Sequence, residues 1–284
     1  MSGTSVAGAQ RKIWICADDY GISPSVSTAI RDLVGQGRIN ATSVMVVAPT
    51  FHRSEAAALN ALRVHGAHIA IGLHLTLSAP FKPLTDGFTP LADKAFLSYR
   101  ALLVRACLRQ LNRKALEAEI AAQLRMFAHE FGRAPDFIDG HQHVHIFPQV
   151  RDALFTAARE LAPDAWIRQC GRTGALTARL NDPKGLVLDL LSKRFRESAA
   201  AVGIRTNAAF AGTYAFNDDA DFAALFPRFL DELPDGGLVM CHPGVVDAEL
   251  RRLDPLTTLR EKEFAYFCGE SFPQMLAAKG ISLA

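Results

Sequence analysis

The segment KIWICADDYGISPSVSTAIRDLVGQG, residues 12–37, contains the unit from which the rest of the fold can be predicted. It begins with a short β-rich apolar run, which is followed by two aspartates, Asp18 and Asp19. Ser23 and Pro24 are then typical of an N-cap residue and of the first position of a helix. A strand therefore leads almost directly into a helix, which is the repeating unit of a parallel α/β sheet.

The same alternation of strand and helix continues along the chain. Further apolar runs with the character of strands are TSVMVV (42–47), HIAIGLHL (68–75), DFIDGH (136–141), AWIRQ (165–169), GLVMCH (237–242) and ISLA at the end. Segment 114–131 has apolar residues at helical spacing and charged residues on its other face, which predicts a helix. Pro148 is expected to begin the helix QVRDALFTAARELA, as Pro24 begins the first one. The pattern predicts an α/β fold with a parallel sheet.

The composition is that of one globular domain with a large core. The chain has 284 residues, of which 49% are hydrophobic and 21% are charged. It contains no run rich in Ser, Gly or Pro that would mark a linker. Residues 1–284 are therefore expected to form a single domain, with residues 1–11 as a flexible N-terminal tail.

Charge and hydropathy argue against several classes of partner. The formal net charge is only +2, and Lys and Arg are scattered among acidic residues, which argues against nucleic-acid binding. No stretch approaches the roughly 20 apolar residues of a transmembrane helix, and no apolar leader precedes the first strand. We therefore expect a cytoplasmic protein. Five dispersed cysteines without a C-x-x-C pair indicate neither a disulfide framework nor a thiolate zinc site.

Polar and charged residues end several of the predicted strands. These residues are Asp18, Asp19, His74, His141, Arg168 and His242. In parallel α/β folds, the carboxyl ends of the strands converge on the edge where ligand sites are built. We therefore expect a functional site at this edge.

The residue types at this edge indicate a catalytic metal site. Two imidazoles and one carboxylate can hold a divalent metal while leaving positions for water and substrate. The candidates are the double aspartate, His74 and the cluster DGHQHVH (139–145), whose three histidines would share one face if the segment were extended. These features also have purely structural interpretations. His74 could be a buried histidine with a partner, the double aspartate could cap the following helix, and His242-Pro243-Gly244 could be a turn.

Four motifs in order resemble the YdjC-like carbohydrate deacetylases, a family that includes chitooligosaccharide deacetylase and the hopanoid-associated deacetylases. They are ADDYG (17–21), IGLHLTL (71–77), DGHQHVHIFP (139–148) and MCHPG (240–244). The resemblance extends over nearly the whole chain. It implies a single-domain (β/α) barrel-like fold of the glycoside hydrolase/deacetylase type. It also implies a metal-dependent hydrolase that removes the acetyl group from an N-acetylated sugar by attack of metal-bound water.

The resemblance assigns roles to the residues that match these motifs. Asp19, His74 and His141 would be the metal ligands. Asp18 would be the general base that takes a proton from water, and His242 would protonate the departing amine. The turn after the first strand is expected to allow both adjacent aspartates to reach one site.

Four further residues are assigned to the site with less specific roles. His143 and His145 would line the pocket or support the metal ligands, and Tyr20 is a candidate for contact with a sugar ring. Arg168 would form an ion pair with Asp18, because related polysaccharide deacetylases orient their base with an arginine. The alternative for Arg168 is a surface position.

The metal and the substrate stay open at this stage. Two imidazole ligands suit zinc, whereas members of the family are commonly assigned magnesium, so the resemblance implies one divalent ion, Mg²⁺ or Zn²⁺. The substrate could be an N-acetylated oligosaccharide or a glycolipid, with Tyr20, Phe81, Phe147 and Tyr214 as candidates for stacking on sugar rings. Residues 81–113 could form a lid, a homodimer contact or a groove for a lipid-linked sugar.

Other functions are compatible with the same residues. Barrel enzymes with His and Asp ligands also isomerise sugars or hydrolyse non-sugar amides. A non-catalytic sugar-binding protein is a further alternative, although it would be expected to lack a base or an acid. Release of acetate would distinguish a deacetylase from each of these.

Overall fold

The computed structural model describes residues 10–172 and 183–284, which form a parallel sheet surrounded by helices. The strands are β1 (Arg11–Tyr20), β2 (Ala41–Val44), β3 (Ala70–Leu75), β4 (Phe137–Gly140), β5 (Trp166–Ile167), β6 (Phe210–Ala211), β7 (Leu238–Cys241) and β8 (Ile281–Leu283). The helices are α1 (Pro24–Gly35), α2 (Arg53–Val64), α3 (Tyr99–Cys107), α4 (Arg113–Phe131), α5 (Val150–Leu161), α6 (Pro183–Ala201), α7 (Phe222–Phe229), α8 (Ala248–Leu253), α9 (Thr258–Cys268) and α10 (Ser271–Ala278).

The sheet is curved into a barrel-like arrangement. Its strand order is β5-β4-β3-β2-β1-β7-β6, with β8 paired to β1, and every strand pair is parallel. An isolated parallel bridge between Arg172, which follows β5, and Phe210 in β6 brings the two ends of this order together. The predicted single-domain (β/α) barrel-like fold is confirmed.

The strands are buried on both faces, as expected for a parallel sheet covered by helices. All residues of β2, β3, β4 and β7 are buried. Apolar strand interiors therefore anchor the sheet, and polar side chains concentrate where the strands end. This arrangement places the functional candidates at one edge of a rigid frame.

Local sequence signals located most elements correctly. Ser23 caps α1, its side chain accepting a hydrogen bond from the Val26 amide, and Pro24 is the first residue of the helix. The predicted helix at 114–131 is observed as α4. The helix predicted from Pro148 onward is observed as α5, but it begins two residues later than expected. Residues 141–146 form a short 3₁₀ segment, and α5 begins only at Val150, after Gln149.

Three further expectations concern the N-terminal tail, membrane-spanning helices and the cysteines. Residues 1–9 of the expected tail lie outside the described residues, and β1 already begins at Arg11. Among residues 10–172 and 183–284, no helix is long and apolar enough to cross a bilayer. The five cysteines are all free thiols.

Candidate active site

A β-bulge brings the adjacent aspartates to one site. Ala17 pairs with Thr42 and Tyr20 with Val44, so three steps along β1 oppose two along β2. Within this bulge Asp19 has a φ of 68°, in the left-handed region that aspartate tolerates better than most residues. The irregularity therefore lies at the aspartates themselves, earlier than the turn that we expected at Tyr20 and Gly21. It removes the alternation that would direct the two side chains to opposite faces.

Asp19 lies between two histidines from neighbouring parts of the sheet. Its Oδ1 atom is 3.1 Å from Nε2 of His74 in β3 and 2.9 Å from Nδ1 of His141, the first residue after β4. All three side chains are buried. The structure thus brings together the three residues that were predicted as metal ligands.

These atoms fit a divalent metal ion. One ligand atom from each residue lies within 4.8 Å of the other two. Donor atoms bound at about 2.1 Å to a single zinc or magnesium ion lie roughly 3.0–3.4 Å apart in octahedral or tetrahedral arrangements. The two distances from Asp19 Oδ1 are close to this range, so little movement is needed for binding.

A second carboxylate orients His74. Nδ1 of His74 donates a hydrogen bond to Oδ1 of Asp139 at 2.7 Å, which directs Nε2 toward Asp19. Burial by itself lowers the pKa of His74, but the carboxylates of Asp139 and Asp19 outweigh it and raise the pKa to about 10. Asp139 was not predicted as a site residue, although it opens the DGHQHVH motif and carboxylates commonly support histidine ligands.

Arg168 forms the expected pair with Asp18, in the interior and not on the surface. Its Nη1 donates to Asp18 Oδ2 at 2.7 Å and its Nη2 to Asp18 Oδ1 at 2.6 Å. The same Nη2 is 2.5 Å from Oδ2 of Asp139 and 3.0 Å from Sγ of Cys16. Cys16, Asp18 and Asp139 also have the composition of a metal site, but the guanidinium nitrogen already lies among them. The cation of this second cluster is therefore the guanidinium of Arg168.

The histidine motif is not extended, which corrects the expectation that its three histidines share one face. Gln142 and His143 both have positive φ values, 54° and 59°. Only His141 contacts Asp19, whereas His145 Nε2 donates to the carbonyl of Arg168 at 2.9 Å. His143 Nδ1 lies 3.6 Å from Sγ of Cys170, and burial lowers the pKa of His143 well below its usual range.

His242 follows β7, and its backbone is fixed by a buried glutamate. Its amide donates to Oε2 of Glu263 at 2.5 Å, and the Tyr214 hydroxyl donates to Oε1 at 2.6 Å. Burial raises the pKa of Glu263 to about 7 despite these hydrogen bonds. Burial also lowers the pKa of His242, and the negative charge of Asp19 opposes that shift.

Tyr20 is not part of this site. Its ring is fully buried, and its hydroxyl donates to the carbonyl of Glu55 at 2.8 Å. Arg31 Nη1 donates to the same hydroxyl at 2.9 Å. Tyr20 thus belongs to a polar contact between β1, α1 and α2.

Phe216, an exposed aromatic residue at the site, was not among the predicted stacking residues. Phe81 and Phe147 are buried, and Tyr214 is partly buried with its hydroxyl engaged by Glu263. Phe216 is 42% exposed, and its ring meets that of His242 edge-on, with the centroids 5.7 Å apart. It follows β6, a two-residue strand that the sequence pattern did not indicate.

Residues 81–113 pack against the histidine segment. The ring of Phe81 lies edge-on to His141 at 5.6 Å, and Tyr99 in α3 lies against Phe147 at 5.5 Å. The segment therefore forms one wall beside the candidate metal ligands. Its function as a lid, a homodimer contact or a groove for a lipid-linked sugar stays a prediction.

Two other functional candidates were also missed. Arg260 and Glu263 lie three residues apart in α9, and both side chains are fully buried. Arg260 Nη2 donates to Oδ2 of Asp19 at 2.6 Å, while Glu263 holds His242. The sequence offered one usable signal, since two charged residues within a helix that must pack on a sheet need partners there.

Comparisons with known proteins agree with these observations. Residues 12–278 match the family model for YdjC-like proteins. The chain is 26% identical to a chitooligosaccharide deacetylase of Escherichia fergusonii, with 92% of this chain and 95% of that protein aligned. It is 25% identical to a carbohydrate deacetylase of Clostridium beijerinckii, over 93% and 98% of the two chains.

Solved structures share the fold. A putative cellobiose-phosphate cleavage protein from Enterococcus faecalis superposes with a TM-score of 0.73 at 22% identity, covering 97% of each chain. A peptidoglycan N-acetylglucosamine deacetylase superposes with a TM-score of 0.51 at 11% identity, covering 98% of this chain and 86% of the other. On the match of its sequence over residues 12–278, this chain belongs to the YdjC-like protein family.

Proposed function

We propose that this chain is a metal-dependent carbohydrate N-deacetylase, which hydrolyses the acetamide of an N-acetylated sugar to acetate and a free amine. The observation that carries the proposal is the buried set of Asp19, His74 and His141 beside the Arg168-paired carboxylate of Asp18. The names of the two deacetylase relatives support the same reaction class.

The metal would be held by Asp19, His74 and His141. A divalent ion bound there would polarise the acetyl carbonyl and make water more acidic. Two imidazoles and one carboxylate suit zinc by ligand type, and magnesium is the alternative that the family resemblance suggests. Both ions therefore belong in the test.

Asp18 is the proposed base. Arg168 binds both of its oxygens and so fixes the plane of the carboxylate, which leaves the remaining lone pairs in a defined direction. A positioned carboxylate can accept a proton from water while the water oxygen attacks the acetyl carbon. Arg168 is itself fully buried, so solvent does not compete for its hydrogen bonds with Asp18.

His242 is the proposed acid, which protonates the nitrogen when the carbon–nitrogen bond breaks. Burial lowers its pKa, whereas the carboxylates of Asp19 and Asp18 favour the protonated ring that this role needs. Glu263 fixes the backbone of His242 by accepting a hydrogen bond from its amide. The exposed ring of Phe216 beside it is a suitable surface for the apolar face of a sugar.

The test is acetate release from chelator-treated protein to which Zn²⁺ or Mg²⁺ is restored. N-acetylated chitooligosaccharides and N-acetylated glycolipids are supplied in parallel. We expect acetate only after metal is restored, and none from the His74→Ala variant. Acetate release that persists without metal would contradict the metal dependence, and an isomerised sugar without acetate would favour the isomerase.

A further inference from the structure

The two carboxylate oxygens of Asp19 have different partners. Oδ1 of Asp19 faces the nitrogens of His74 and His141, at 3.1 and 2.9 Å. Oδ2 accepts a hydrogen bond from Nη2 of Arg260 at 2.6 Å, and neither side chain of this ion pair is exposed by more than 1%. Only one oxygen of Asp19 is therefore free to meet an ion between the histidines.

Arg260 is itself held in place from several directions. Its Nε donates to the carbonyl of Leu256 at 2.9 Å, one turn earlier along the chain, and its Nη2 lies 3.5 Å from Oδ2 of Asp254. Its own carbonyl accepts a hydrogen bond from the amide of Gly244 at 3.0 Å, in the loop that carries His242. The guanidinium is thus a fixed partner for Asp19.

We infer that Arg260 is a positioning residue, which restricts Asp19 to coordinating the metal through Oδ1 alone. The inference rests on the proposed metal site. Carboxylates bind divalent ions through one oxygen or through both, and a second oxygen would take a position that a catalytic site needs for water or substrate. The hydrogen bond from Arg260 occupies the oxygen that would otherwise close that position.

A purely structural role makes a different prediction. If Arg260 only neutralised a buried charge, its loss would disorder Asp19 and weaken metal binding. If it limits Asp19 to one oxygen, its loss frees Oδ2, so metal affinity is retained or increased while the coordination number rises. Metal affinity and coordination number therefore distinguish the two roles, and neither measurement depends on enzyme turnover.

The experiment uses Co²⁺ as the probe, because its d–d absorption weakens as coordination number rises. We compare the native protein with Arg260→Gln, Arg260→Lys and the control Arg252→Gln. Arg252 is 62% exposed and pairs with Glu249 outside the site. For Arg260→Gln we expect Co²⁺ affinity at least equal to native, weaker d–d absorption, and a tenfold or greater loss of kcat for acetate release. Arg260→Lys, which retains a cation near Oδ2, should restore most of the native spectrum.

Two results would overturn the inference. One is a spectrum of folded Arg260→Gln that superimposes on that of the native protein; the other is a more than tenfold loss of Co²⁺ affinity in that variant. If the variant does not fold, a crystal structure of the native protein with Zn²⁺ decides. It should show Oδ1 of Asp19 at about 2.0–2.2 Å from zinc and Oδ2 still on Arg260, whereas bidentate binding refutes the inference. Native protein that binds neither ion would instead refute the proposed function.

Discussion

Replacing each of the adjacent aspartates by asparagine tests the division of labour between them. In Asp18→Asn the metal ligands are unchanged, so bound metal should stay at the native level while kcat falls by about 10²–10⁴, the usual contribution of a positioned general base. This loss corresponds to roughly 3–5 kcal/mol in activation free energy. In Asp19→Asn the oxygen between His74 and His141 loses its charge, so metal content itself should fall.

The contacts of Asp18 also determine how far stability is affected. Arg168 donates to both oxygens, at 2.6 and 2.7 Å. In Asp18→Asn one oxygen becomes an amide NH₂ that faces a guanidinium donor, so one of two charge-assisted hydrogen bonds is lost. A buried donor without its partner costs about 1–3 kcal/mol, and more when it is charged, but Asp139 remains as a counter-ion for Arg168 in this variant. Most domains survive such a loss because their free energy of unfolding is about 5–15 kcal/mol.

The assay combines metal content, acetate release and thermal unfolding of each purified variant. Asp231→Asn is a matched control, because Asp231 is 55% exposed and pairs only with Lys279 in this part of the surface. It should resemble the native protein in all three measurements. If Asp18→Asn loses the ion and Asp19→Asn retains it, the assignment of base and ligand is refuted and the two roles must be exchanged.

Three further predictions concern the surroundings of this pair. His74→Ala and His141→Ala should each lose bound metal together with activity, because each removes one of three ligands, and elemental analysis of the purified variants checks this. Arg168→Met should lower the free energy of unfolding by about 3–5 kcal/mol, measured by urea denaturation, since it leaves two buried carboxylates without their cation. Phe216→Ala should raise KM about three- to tenfold with little change in kcat, as expected for loss of a stacking contact worth about 0.5–1.5 kcal/mol, and Phe216→Trp should restore the native KM.

The fold was predictable because its signals are local. The step from KIWICA to Ser23 and Pro24 shows where a strand ends and a helix begins, and α4 is visible in its own periodicity. β6 was not visible, since two residues carry no period. The start of α5 was predicted too early, because a proline also suits the turn that precedes a helix. Here the residues before Pro148 form a 3₁₀ segment.

The site was predictable in its residue types and less so in its geometry. Matching motifs indicated Asp19, His74 and His141, but the bulge that directs both aspartates inward depends on pairing between β1 and β2. The positive φ of His143 likewise removes it from the face of His141. Arg260 left no motif at all, because it meets Asp19 across 241 residues of sequence and only the completed barrel brings them together.

The charges around Asp19 favour a cation between the two histidines. Three buried carboxylates, those of Asp18, Asp19 and Asp139, are ion-paired with only two buried guanidinium groups, those of Arg168 and Arg260. Burial alone would lower the pKa of His74, but the carboxylates of Asp139 and Asp19 favour positive charge there and raise this pKa to about 10. Arg168 pairs with Asp18 and Asp139, and Arg260 pairs with Oδ2 of Asp19. This leaves Oδ1 of Asp19 facing His74 and His141. A divalent cation bound at Oδ1 of Asp19 would add positive charge at that place, next to the base that Arg168 orients.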